Sequence, residues 1–184
     1  MSWFQIFVDE VVEAWGNRMI KEGKLNTVEK GKRGENFVKD ILEKKKGYTV
    51  ALSKGSRSPS DVWGIRWDDR DDKDDNLVVH IALIQVKTAV TQKKPEEIDD
   101  KNEEELKELA CLTLERFQEF EDKPETLTNK FILISTGYAG IVVEGEQPRV
   151  SSTKYVDCVH SNGKFEKDMK DVMKDWLSEF HKLQ

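Results

Sequence analysis

Asp61, Gln85 and Lys87 are the residues whose types and spacing could do chemistry together. Asp61 opens a strand directly after the loop Gly55-Ser56-Arg57-Ser58-Pro59-Ser60, and Gln85-Val86-Lys87 closes the next strand. Side chains alternate along a strand, so Gln85 and Lys87 share one face and Val86 takes the other. If the connecting turn centres near Asp72 and Lys73, antiparallel partners carry numbers summing to about 146, which sets Asp61 near Gln85. One carboxylate, one amide oxygen and one ammonium then meet at the open end of a hairpin. Phosphodiester hydrolysis needs such a cluster. A magnesium ion held by one or two carboxylates neutralises phosphoryl oxygens and activates a water. A nearby lysine orients that water or stabilises the charge of the transition state. Glu35 is a fourth candidate, at the margin of a helix's apolar stripe. It can point toward the sheet, or stay on the surface at a helix N-terminus, where the macrodipole favours it.

Other chemistries lack a signature. His80, His160 and His181 are too scattered for a local zinc motif, and no CxxC is present. Gly31 and Gly34 do not follow a strand, so no phosphate-cradling loop is marked. Nothing marks a nucleophile elbow. The run Asp68–Asp75 reads as a solvated hairpin turn rather than a cation site.

The elements that must position these residues follow from periodicity. Trp3, Phe4, Phe7, Val8, Val11, Val12, Trp15 and Met19 recur at three and four residues, an amphipathic helix. A second helix runs from Lys30 to Lys46 on Phe37, Val38, Ile41 and Leu42, and Gly47 ends it as a left-handed cap. Strands are expected at Tyr48–Ser53, Val62–Trp67 and Leu77–Lys87. A long helix from Glu96 to Glu121 follows, then strands at Lys130–Ser135, Ile141–Val143 and Tyr155–Val159. Phe165, Met169, Val172, Met173, Trp176 and Phe180 define a closing helix. The order is ααβββαβββα. The chain reads as one domain over 1–184, with an N-terminal helix (1–22), a core (30–136) and C-terminal strands and helix (137–184).

The 184 residues suffice for a real core without disulfides or structural metal. The 37% of apolar residues are arranged periodically, which argues against disorder. No apolar run reaches the roughly 18 residues needed to span a bilayer, so no membrane association is expected. The start lacks a basic region before its apolar residues, which points away from secretion and toward the cytoplasm. Cys111 and Cys158 read as thiols in apolar surroundings. The formal charge of -6 does not advertise nucleic-acid binding. Local distribution matters more: Lys21–Lys54 is strongly basic, while acids crowd into Asp68–Asp75 and Pro95–Glu121.

Gly34-Glu35-Asn36-Phe37-Val38, then Gly55 to Asp61, then Ile84-Gln85-Val86-Lys87 resembles the PD-(D/E)XK nuclease superfamily. The nearest flavours are the archaeal Holliday-junction resolvases and the Mrr-like restriction endonucleases, some of which carry glutamine where Gln85 stands. The likeness covers roughly Gly31 to Thr88, with compatible αβββαβ order to Ser135. It implies an α/β, restriction-endonuclease-like core with a mixed central sheet flanked by helices. It implies DNA cleavage with magnesium, or manganese in its place, on junction or duplex DNA. Asp61 and Gln85 would hold the ion with help from Glu35, and Lys87 would position the water. Gln85 replaces the usual acid, which removes a full negative charge; a catalytically degenerate DNA-binding or protein-interaction module of the same fold is the alternative. Lys30, Lys32, Arg33, Lys54, Ser56 and Arg57 would contact DNA phosphates. The resemblance also implies a homodimer. The first helix must bury its apolar face on its own sheet or on a partner, and a two-fold substrate favours the partner.

Overall fold

The computed structural model describes residues 2–21, 32–53, 58–67, 78–89, 95, 97–144 and 147–161. The closing helix expected over Phe165–Phe180 and the acidic turn Asp68–Asp75 lie outside the described residues. Helices α1 (Trp3–Lys21) and α2 (Lys32–Lys46) precede strands β1 (Thr49–Leu52), β2 (Val62–Trp67) and β3 (Val78–Ala89). Helix α3 (Asp100–Glu119) then leads to strands β4 (Phe131–Glu144) and β5 (Gln147–His160). The strands form one mixed sheet in the order β1-β2-β3-β4-β5. β1, β2 and β3 pair antiparallel in succession, β4 runs parallel to β3 across the α3 connection, and β5 is antiparallel to β4.

Strand alternation sorts the core into two layers. Trp63, Ile65, Val79, Ile81, Leu83, Ile132 and Ile134 face α1 and α3, where they meet Phe4, Phe7, Val8, Val11, Trp15, Leu109 and Phe117. Val62, Ala82, Ile84, Val86, Ala139, Ile141 and Val143 face the other way, onto Val38, Ile41 and Leu42 of α2. Gly47 has φ 71° and lets the chain turn from α2 into β1 without Cβ strain, as expected for a cap.

Four expectations are corrected. The α1 stripe is buried on its own sheet: Phe4, Val8 and Val11 are fully buried and Trp15 is 1% exposed. A homodimer cannot rest on that face. The strands expected at Lys130–Ser135 and Ile141–Val143 are one strand, β4, and β5 begins at Gln147 rather than Tyr155. Cys111 is exposed and Cys158 partly so, and both are free, so neither is an interior thiol. Helix α3 starts at Asp100, later than Glu96, because Asp99 caps it: its carboxylate accepts from Asn102 N at 2.8 Å.

One polar group sits among the apolar contacts of the α2 layer. His80 Nδ1 is 2.6 Å from the Tyr48 hydroxyl and Nε2 is 2.8 Å from Ser135 Oγ, while the Arg66 guanidinium lies over the Tyr48 ring at 5.1 Å. Burial, and secondarily Arg66, lowers the His80 pKa to about 3. The folded protein therefore keeps His80 neutral where the unfolded chain, with an ordinary histidine, takes up a proton. His80 contributes its full stability above the unfolded pKa and loses it as pH falls toward 3. Between pH 8 and pH 5 this residue alone should cost about 2 kcal/mol of unfolding free energy. Urea titrations of wild type and His80→Gln at both pH values check this. An equal loss in the two proteins would contradict it.

Candidate active site

The approach to Asp61 is fixed by a chain of short-range hydrogen bonds among serines. Ser60 N donates to Ser58 Oγ, Ser60 Oγ donates to Val62 O, and Ser53 Oγ donates to Ser60 O at 2.6 Å. Trp63 Nε1 donates to Ser53 Oγ at 2.8 Å, tying this knot to the core. Ser58 and Ser60 are 4% and 0% exposed, so a loop-like sequence is here a packed bracket. Asp61 itself is clamped on both sides. Its N–H donates to Ile84 O at 2.9 Å and its C=O accepts from Ser53 N at 3.0 Å. Its carboxylate replaces a ladder bond, with Oδ2 accepting from Val86 N at 2.8 Å.

The β2–β3 ladder ends with Val62 opposite Ile84, the register expected from the turn centre. One step further sets Asp61 opposite Gln85. Both are buried, at 3% and 2% exposure. Gln85 Oε1 is a buried acceptor without a hydrogen-bond partner among the described residues. Leaving a buried polar atom unmatched costs roughly 1–3 kcal/mol, so the arrangement asks for an explanation. Lys87 is partly exposed, two residues further along the same strand face. The structure thus brings Asp61, Gln85 and Lys87 to one end of the sheet.

The donor set fits a hard divalent cation. One carboxylate with a fixed orientation and one unmatched amide oxygen are oxygen ligands of the kind such an ion takes. Its charge is low, however. Among the described residues no three His, Cys, Asp or Glu side chains converge on a metal position.

Glu35 comes from the other layer. Helix α2 covers the opposite sheet face, yet its first turn abuts the same end of β3. A methyl group at Gly34 would stand 2.2 Å from Thr88 Oγ1 and 3.4 Å from Val86 Cγ1, so only glycine permits this approach. Glu35 lies one residue on, half-buried, and Arg33 lies one residue back, exposed. Lys30, Lys54, Ser56 and Arg57, and the side chain of Lys32, lie outside the described residues.

Sequence reasoning missed the β4 side of this site. In the parallel ladder Tyr138 pairs with Gln85 and Gly140 with Lys87, so the two β4 residues share the site's face. Gly137, Tyr138 and Gly140 lie in the gap between the strands expected at Lys130–Ser135 and Ile141–Val143. Comparison with protein-family profiles, with curated proteins and with solved structures found no match to this chain.

Proposed function

We propose that this protein is a divalent-metal-dependent DNA endonuclease of the PD-(D/E)XK type, with Asp61, Gln85 and Lys87 as its active-site core. The observation that carries the reading is the unmatched Gln85 Oε1, buried opposite the clamped carboxylate of Asp61. The element order supports it. A helix, three antiparallel strands, a crossover helix and a parallel strand are what a restriction-endonuclease-like core requires, with the active site where β2 begins and β3 ends.

In this reading Asp61 and Gln85 would hold magnesium, or manganese in its place, with Glu35 assisting from α2. The ion when bound supplies charge neutralisation and a more acidic water. Asp61 keeps its orientation because Val86 N holds one carboxylate oxygen. Lys87 presents its ammonium to the water and the phosphoryl oxygens. Arg33, on α2, would hold the phosphate backbone, and Lys30, Lys32, Lys54 and Arg57 would add phosphate contacts that carry no sequence information. Branched or junction DNA is the first substrate class and duplex DNA the second. Two such sites in a homodimer would suit a two-fold substrate, through a surface other than the α1 stripe. A DNA enzyme of this kind would work in the cytoplasm; no described helix is long and apolar enough to cross a membrane.

One observation favours a second reading. A site with one carboxylate and no triad of acids among the described residues also suits a module that binds DNA without cleaving it. Incubation with junction, duplex and single-stranded DNA, with magnesium or manganese, separates the two. The enzyme reading expects cleavage that stops on chelation and falls by about a hundredfold or more in Lys87→Ala. Binding without cleavage under every condition supports the module.

A further inference from the structure

Strand β5 is irregular at two places, and they bracket the part of β4 that lies beside Gln85 and Lys87. Thr136 pairs with Asp157 but Gly137 pairs with Tyr155, and Gly140 pairs with Ser152 but Ile141 pairs with Val150. Val156 and Ser151 are the extra residues. Bulges of this kind re-aim the side chains between them. Here Ser151 Oγ donates to Gly140 O at 3.1 Å, and Ser152 is turned onto the face that Gly140 and Tyr138 share with Lys87.

Two rows of residues result on that face. Asp61, Gln85 and Tyr138 form one, on β2, β3 and β4; Lys87, Gly140 and Ser152 form the next, on β3, β4 and β5. Gly140 leaves a gap in the second row, and two hydroxyls fill it. A methyl group at Gly140 would stand 2.6 Å from the Tyr138 hydroxyl and 2.5 Å from Ser152 Oγ, with Pro95 Cγ at 3.2 Å. The Tyr138 side chain is 2% exposed, packed with Ile98 and Leu106. It therefore has little freedom to leave.

We propose that Tyr138 is a positioning residue of this site: its hydroxyl, braced by Ser152 over Gly140, closes the β4 side of Lys87 and confines the ammonium toward Asp61 and Gln85. The purpose of that confinement rests on the nuclease reading; the confinement itself does not. Burial raises the Tyr138 pKa, so a neutral hydroxyl rather than a phenolate stands beside the lysine. A neutral wall directs the ammonium without pairing its charge. The phosphate and the water then remain its partners.

Competitive acetylation of the full chain with acetic anhydride, read peptide by peptide by mass spectrometry, tests this without any activity. Tyr138→Phe keeps the ring and removes the hydroxyl. Lys87 should then label about threefold faster, the scale of the lost Tyr138–Ser152 hydrogen bond that braces the wall, while Lys39 and Lys107 keep their wild-type rates. An unchanged Lys87 rate overturns the proposal. A rise shared by all three lysines also overturns it, because that is general loosening. Where wild type cleaves DNA, Tyr138→Phe should lower kcat and leave KM unchanged. Labelling that responds in a protein that does not cleave would sink the nuclease reading and keep the wall.

Discussion

Deleting residues 2–21 is expected to abolish folding, rather than to release a folded monomer from a dimer. Phe4, Phe7, Val8, Val11, Trp15 and Met19 are all buried, between 0% and 6% exposed, against Trp63, Ile65 and the α3 side chains. Phe7 meets Phe117 edge to face at 5.3 Å, and Trp3 lies 6.4 Å from both Trp67 and Phe117. Each fully buried large side chain is worth about 1.5–3 kcal/mol. Six of them amount to roughly 10 kcal/mol, comparable to the whole stability of a domain of this size. Circular dichroism with a thermal melt reads the result directly. A truncated chain with a cooperative melt near the wild-type midpoint would return α1 to the role of an interface.

Asp61→Asn should remove DNA cleavage while the fold survives. Asparagine keeps an acceptor for Val86 N, so the clamp on β3 is retained, and only the charge is lost. The rate should fall on the order of a hundred- to a thousandfold, the scale of one preorganised electrostatic contact in other active sites. Asp61→Ala mixes this loss with that of the clamp and is the less informative variant. Cleavage at the wild-type rate in Asp61→Asn, at saturating magnesium, would remove Asp61 from the site.

The hairpin was legible in the sequence because two local signals agreed. Val62–Trp67 and the strand ending at Lys87 flank a charged turn, and the midpoint of that turn fixes the Val62–Ile84 register within the chain's own numbering. Asp61 and Gln85 followed from it. The rest depends on tertiary partners. The apolar stripe of α1 has the same period whether it covers its own sheet or a second chain, and only the packed core decides which. Strand β4 spans both expected pieces and the stretch between them, where Gly137 and Gly140 interrupt the apolar run. Twelve paired positions along β3, from Val78 to Ala89, hold it extended all the same. Gly140, within that stretch, is what admits the Tyr138 hydroxyl. Cys111 shows the reverse error: it follows the buried Ala110, but one residue of helix turns it outward.

The cation site is the centre of the account, and calorimetric titration of manganese into wild type and Gln85→Glu tests it most directly. If Gln85 Oε1 faces the ion, glutamate adds a negative charge within a few ångströms of it. Repulsion from Asp61 and the cost of burying the charge offset part of that attraction. The account predicts one Asp61-dependent site that binds manganese about tenfold tighter in Gln85→Glu, a difference of roughly 1.4 kcal/mol. Equal affinity in the two proteins, or no binding to either, would contradict it.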